Sequence, residues 1–300
     1  MTNILVLGVT GMLGSMVFDY LSKNENLNIY GTVRNEDYST EKILFFDANN
    51  LDILQQSKFK KLNIDYIINC IGITKPFSKD NDPDGVFRAI NINAKFPWQL
   101  ARLTKDQNIK TIQICTDCVY SGKKGAYNEK DPHDPLDVYG KSKSLGEVFD
   151  GSSLLIRCSI IGPEKKEENN YLLEWFLNQP NKGEIGGYAH HYWNGITTLQ
   201  FAQLCESIIE ENAYNTLLDL SYLHHYTPTK KLDKFELMNV FNEVFEKNLK
   251  INRVFIEDEK IDRSLSTLYN RLNKFSKHDN IRDALNELKK YISRSDVYNI

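Results

Sequence analysis

Residues 4–14 read ILVLGVTGMLG, an apolar run that breaks at Gly8, Gly11 and Gly14 and passes directly into the helical pattern MLGSMVFDYLSK. A first strand, glycines at intervals of three and a first helix form the opening of a βαβ unit. Glycines there let the chain turn tightly and bring its backbone close to a pyrophosphate at the helix N-terminus, where free N–H groups and the helix dipole favour an anion. The spacing is G-x-x-G-x-x-G, one residue longer than the G-x-G-x-x-G fingerprint. Glycines alone also suit a plain turn; their place after the first strand favours dinucleotide binding, with Gly8, Thr10, Gly11, Met12, Leu13 and Gly14 forming the cradle.

Downstream, short apolar runs alternate with helical patterns: NIYGTV (28–33), KILFF (42–46) before LDILQQSKFK, DYIINCIG (65–72) before VFRAININAKFPWQLARLTKD, TIQIC (111–115) and SLLIRCS (153–159). Near-continuous apolar strands separated by helices predict a parallel sheet covered on both faces, a Rossmann-like doubly wound α/β fold over residues 1–160. After residue 160 a charged loop, GPEKKEENN, begins a mixed series that includes YLLEWFLNQ, GEIGGY, TTLQFAQLCESIIE, DKFELMNVFNEVFEK, INRVFIED and IRDALNELKKYI. This series predicts a smaller mixed α/β substrate-binding lobe over 161–300, with some elements returning to the main sheet. The last helix, Asn280 to Tyr291, is expected to pack on that lobe.

The cofactor is read after the second strand, where an acid would hold a ribose 2′-hydroxyl and a base would accept a 2′-phosphate. Arg34 follows that strand with no acid beside it, which favours NADP(H) over NAD(H). Asp47, with Ala48 after it, ends the third strand and is placed either to meet the adenine amine or to cap the next helix.

A net charge of -3 without a long basic run leaves no electrostatic footprint for nucleic acid or an anionic membrane. No apolar run is long enough to span a bilayer and the N-terminus carries no leader pattern, so a cytoplasmic protein is expected. The 5 cysteines are an odd, dispersed set, unlike a secreted disulfide framework. Cys115-Thr116-Asp117-Cys118 spells C-x-x-C, yet no second pair completes a zinc site and a strand, not a helix, leads into it. No metal is expected, and attention passes to Thr116 and Asp117 at a strand end facing the crevice.

Tyr139-Gly140-Lys141-Ser142-Lys143 opens a helix after a Pro- and Asp-rich loop. Tyr139 and Lys143, at i and i+4, share one face. An ammonium ~4 to 5 Å from the phenol, at an effective dielectric of ~20, supplies roughly 3 to 4 kcal/mol toward the phenolate, bringing a group with pKa near ~10 toward the working range of a general acid.

Gly8/Gly11/Gly14, Thr116-Asp117 and Tyr139/Lys143, in this order and spacing, resemble the extended short-chain dehydrogenase/reductases. TDCVYSG and PLDVYGKSKSLGE resemble the dTDP-4-dehydrorhamnose reductase branch within them. The resemblance implies NADPH-dependent reduction of the C4 keto group of a nucleotide-linked 4-keto-6-deoxy sugar, in deoxysugar and surface polysaccharide biosynthesis. Thr116 would hydrogen-bond the keto oxygen, Tyr139 would protonate the alkoxide, and Lys143 would lower the Tyr139 pKa and bind the nicotinamide ribose. Asn93 would organise the site, and Ile71-Gly72 would line the cofactor. Thr74, Thr116, Asp117, Cys118, Ile160 and Trp193 are expected on the substrate side.

Arg157-Cys158-Ser159-Ile160-Ile161 stands where the branch reads near RTSWV, so an aromatic expected on the sugar is replaced by Ile160. Trp193-Asn194-Gly195 stands where the branch more often has an acid-Gln pair; Trp193 either replaces that contact or is a core residue. Cys118 matches the acid-base cysteine of GDP-L-fucose synthases, which implies an alternative epimerase/reductase, although the histidine partner's place falls on Asn170 and Tyr171. The methionine adenosyltransferase beta subunit resembles the same branch and implies an NADP-binding regulatory subunit as the alternative of another class. Relatives often dimerise through helices of the main sheet, which leaves a homodimer open.

Overall fold

The computed structural model describes residues 1–50, 57–164 and 171–298. Along the chain these form β1 (Thr2–Leu7), α1 (Met12–Leu21), β2 (Leu27–Val33), β3 (Ile43–Phe45), α2 (Ser57–Lys60), β4 (Tyr66–Asn69), α3 (Pro83–Ala89), a π-helical segment Ile90–Lys95, and α4 (Phe96–Asp106). Next come β5 (Lys110–Thr116), α5 (Val138–Leu145), β6 (Leu154–Cys158), β7 (Ile160–Ile161), α6 (Leu172–Leu177), β8 (Glu184–Tyr188), β9 (His191–Trp193) and β10 (Ile196–Thr197). The chain continues with α7 (Thr198–Glu210), α8 (Tyr214–Leu220), β11 (Leu223–His225), β12 (Leu232–Asp233), α9 (Lys234–Val244), β13 (Lys250–Val254), β14 (Ile261–Asp262) and α10 (Ile281–Ile292).

The main sheet has 7 strands in the order β11-β6-β5-β4-β1-β2-β3, and its pairings are parallel. Side chains alternate across it: Ile4 and Val6 enter one core with Met16 and Val17 of α1, while Leu5 and Leu7 enter the opposite core with Phe96 and Leu100 of α4. Both faces are therefore dry, which explains why the strand sequences are apolar throughout. Strand order reverses at β1 between β2 and β4, the switch point where the carboxyl ends of such a sheet open a crevice.

The run expected as one helix after β4 begins earlier, at Pro83, and loosens into the π segment before α4. Pro97 supplies the reason: it has no N–H to return to Asn93, and its ring displaces the carbonyl four residues back. That turn meets Gly146 at the end of α5, where any Cβ would collide with the Asn93 carbonyl. Of LDILQQSKFK, residues 51–56 lie outside the described residues, as do residues 165–170 of the charged loop, Asn170 included.

Residues after 160 join the first part closely. β11 extends the main sheet beside β6, and α7 and α1 contribute to one core. The α10 helix packs beside α9 and then reaches α1, so it does not rest on the second lobe alone. There Tyr291 donates to Asp19 Oδ2 at 2.7 Å and Tyr298 to Ser15 Oγ at 3.1 Å. Among the described residues no helix is long and apolar enough to cross a membrane.

Candidate active site

At the end of β1 the chain turns through Gly8, whose φ of +84° is the left-handed region that glycine adopts without strain. Gly8 N–H donates to Thr32 Oγ1 at 3.0 Å, and its carbonyl accepts from Gly11 N–H at 3.1 Å. Gly14 is pressed onto this turn: a Cβ there would fall on the Gly8 carbonyl. Gly11 is different, because a Cβ would meet no protein atom nearer than 3.5 Å. It is exposed at the start of α1, with only an ordinary contact to the Gly8 carbonyl, the arrangement that lets backbone amides approach an anion.

On the neighbouring strand end, Thr116 closes β5. Its Oγ accepts from Cys118 N–H at 3.2 Å and donates to Asp117 Oδ1 at 3.2 Å, fixing the short turn Asp117–Val119. Helix α5 starts at Asp137, whose carboxylate accepts from Gly140 N–H at 2.8 Å. Gly140 has no room for a Cβ because the Cys118 carbonyl lies there. This close approach brings Tyr139 onto the same cavity wall as Thr116. One turn later Lys143 donates to the Ile114 carbonyl at 3.0 Å.

These pieces line one cavity of about 500 Å³ with Gly11, Met12, Leu13, Ile71, Gly72, Thr74, Asp117, Cys118, Ile160 and Trp193. Trp193 is nearly buried at 5% exposure yet contributes to the wall, and its Nε1 donates to Ser159 Oγ at 2.8 Å. The indole therefore comes from β9 to stand beside Ile160, where the sequence lacks an aromatic.

Asn93 lies behind the wall. Its amide accepts from Ile73 N–H at 2.8 Å, donates to Ile73 O at 2.8 Å, and donates to Ser142 Oγ at 3.1 Å. It thus ties the segment entering Thr74 to the residue beside Lys143. Thr10, Arg34, Asp47 and Ala48 are not on the cavity wall. Arg34 is exposed beyond β2, Asp47 Oδ1 accepts from Asn49 N–H at 2.9 Å in a turn, and Ala48 packs into the core on the α4 face.

Burial sets the proton affinities. It pushes the Tyr139 phenol above its ordinary range, helped by Cys118 and Asp117 and opposed by the nearby Thr116 hydroxyl. The phenol is a held proton rather than a poised phenolate, which differs from the acidified tyrosine expected from the i, i+4 spacing. Burial and Asp117 push the Cys118 thiol up to about 12. Sequence reasoning missed Lys75, Tyr171 and Lys234 as wall residues. Lys75 pairs with Asp137 at 2.8 Å and Tyr171 hydrogen-bonds Thr74 at 3.1 Å. The local signal for Lys234 was DKFE, an N-cap box that makes it the first helical residue of α9.

Residues 1–260 match the family described as RmlD substrate binding domain. The chain belongs to this family. Among curated proteins it is 24% identical to methionine adenosyltransferase 2 subunit beta of Danio rerio over 250 residues, covering 81% of this chain and 74% of that protein. It is 29% identical to dTDP-4-dehydrorhamnose reductase of Aggregatibacter actinomycetemcomitans over 222 residues, covering 70% and 69%. The fold is similar to that of Bacillus anthracis dTDP-4-dehydrorhamnose reductase solved in complex with NADP, with a TM-score of 0.75 at 19% identity over 97% of this chain and 100% of that one. Membership in the RmlD family bears out the resemblance drawn from the glycine loop, TDCVYSG and PLDVYGKSKSLGE, and the doubly wound sheet is the fold those stretches implied.

Proposed function

We propose that this protein is an NADPH-dependent reductase that converts the C4 keto group of a nucleotide-linked 4-keto-6-deoxy sugar to an alcohol, in deoxysugar biosynthesis. The observation that carries the reading is that Thr116 and Tyr139 share the wall of one cavity that runs from the glycine turn to Trp193. The donor set fits a dinucleotide: Gly11 leaves its outer side free, and Met12, Leu13, Ile71 and Gly72 continue the same wall. These residues, with Lys143 toward the ribose, would hold the cofactor; the reduced nicotinamide supplies the hydride when bound.

The chain's own residues manage the oxygen. Thr116 orients the keto oxygen, and Tyr139, kept protonated by burial, gives its proton to the developing alkoxide. Lys143, one turn along α5 and anchored on the Ile114 carbonyl, is placed for the nicotinamide ribose. Trp193 and Ile160 enclose the sugar. The relative named as dTDP-4-dehydrorhamnose reductase and the NADP-bound structure support both the substrate class and the cofactor. Free thiols at all five cysteines suit a reducing cytoplasm. A homodimer belongs to the same reading, with exposed Phe87, Ile90, Trp98 and Leu145 providing an apolar face outside α3 to α5.

The Danio rerio relative favours a second reading, a cofactor-binding regulatory subunit. An epimerase has less support: Cys118 is held as a thiol and, among the described residues, no histidine lines the cavity. The test follows NADPH absorbance with dTDP-, UDP- and GDP-linked 4-keto-6-deoxyhexoses. Oxidation with one of them, reduced at least ~100-fold in Tyr139→Phe, is expected for a positioned proton donor. Tight NADPH binding with no oxidation across the panel would support the regulatory reading instead.

A further inference from the structure

Three lysines line the cavity, Lys75, Lys143 and Lys234. Lys75 is paired with Asp137 at 2.8 Å and Lys143 donates to the Ile114 carbonyl at 3.0 Å. Among the described residues Lys234 has neither an ion pair nor a hydrogen bond; its ammonium lies 5.0 Å from the centre of the Trp193 ring. Its position is set by the second lobe. β12 pairs Leu232 with Trp193, and the box formed by Asp233 and Glu236, with bonds of 2.8 Å in both directions, starts α9 at Lys234. A cation is thereby delivered beside the indole, within the field of Asp117 and Cys118, next to the strand end that carries Thr116.

Lys234 is half-buried on the cavity wall, and an ammonium partly withdrawn from water without a counter-ion carries a desolvation cost. Burial accordingly pulls Lys234 down to about 8, against the attraction of Asp117 and Cys118. Asp117 does not neutralise it by contact, since the carboxylate accepts the Thr116 hydroxyl and no bond joins it to Lys234. The cavity therefore presents one cation whose partner is not supplied by the described chain, against a flat apolar wall suited to a sugar ring.

We propose that Lys234 is a substrate-recognition residue that pairs with a phosphate oxyanion of the nucleotide sugar. This rests on the reading of the cavity as a nucleotide-sugar site. The lobe that varies the substrate would thus contribute both the aromatic wall and the charge that selects an anionic partner, while the sheet contributes Thr116, Tyr139 and Lys143.

The test is calorimetric binding of dTDP, UDP, GDP and UDP-glucose to the full chain saturated with NADPH, for wild type, Lys234→Met and Lys234→Arg. NADPH affinity serves as the folding control, and Lys234→Gln replaces the methionine variant if that control fails. Loss of a charge-assisted hydrogen bond predicts at least a ~10-fold weaker Kd in Lys234→Met, largely retained in Lys234→Arg. Weakening of every ligand that binds the wild type, the free nucleoside diphosphates included, assigns the phosphate. Unchanged Kd values for all four in both neutral variants would overturn the proposal. A wild-type protein that binds NADPH but none of the four would bring down the nucleotide-sugar reading, and this proposal with it.

Discussion

Acidification should unlock the helix that carries Tyr139, through a buried arginine on β6. Arg157 is fully buried, and each of its five N–H groups meets an acceptor. Nε and Nη2 reach the Glu147 carboxylate at 3.0 and 2.5 Å, Nη2 also reaches His133 Nε2 at 2.7 Å, and Nη1 reaches the Tyr120 hydroxyl at 2.6 Å and His225 Nε2 at 2.7 Å. A guanidinium only donates, so both imidazoles must accept at Nε2 and carry their proton on Nδ1. Those protons go to the Ser266 carbonyl from His225 and to Ser144 Oγ from His133, each at 2.7 Å.

Burial and then the Arg157 charge pull His225 from 6.5 down to about 4, with Glu129 opposing. On acidification the unfolded chain takes up this proton first. The stabilisation from a neutral His225 is therefore complete above about 6.5 and is lost as the pH falls to about 4. Between pH 7 and 4.5 the loss works out at roughly 2 to 3 kcal/mol from this group alone. Urea midpoints measured at several pH values for wild type and His225→Gln, which keeps an acceptor but cannot charge, should diverge by that amount. Parallel pH profiles would refute the tautomer argument. Because Glu147 lies just past the C-cap of α5 and Arg157 pairs with Cys115 across β5 and β6, the same acid step should loosen α5, and Tyr139 with it, against the end of β5.

Gly14→Ala would drive a methyl into the Gly8 carbonyl; overpacking of that kind costs about 1 to 3 kcal/mol, and NADPH titration should show affinity falling at least ~10-fold. Asn93→Leu removes both bonds to Ile73 and the bond to Ser142. A stability loss of about 2 to 4 kcal/mol in urea is expected at ~1 to 3 kcal/mol per stranded buried group, together with slower turnover; wild-type stability would show that water replaces the amide.

What the sequence made legible was local. The continuous apolar run from Ile4 to Leu7, the glycines after it, and the i, i+4 spacing of Tyr139 and Lys143 each constrain a backbone that their own neighbours define. The packing of Gly14 on Gly8 and of Gly140 on Cys118 follows the same logic, since a missing side chain marks a close approach. Contacts between segments distant in sequence were not legible. Asn93 reaches Ile73 and Ser142 only because Pro97 loosens the helix into a π turn, and no periodicity announces that. Trp193 stands beside Ile160 because β9 lies near the end of β6, so an aromatic absent from one motif was supplied by another lobe.

The sharpest difference concerns the lysines. Spacing placed Lys143 on the face of Tyr139 and led to the expectation of an acidified phenol, but the side chain extends to Ile114 and burial dominates at the phenol. Lys234, in a stretch with no recognisable site motif, is the cavity-wall cation that has neither an ion pair nor a hydrogen bond among the described residues. A sequence motif specifies which groups can share a face; whether a charge is spent inside the fold or kept for a ligand depends on partners that arrive from elsewhere. For this chain that distinction separates the part of the site common to many reductions, on the sheet, from the part that selects a substrate, at the start of α9.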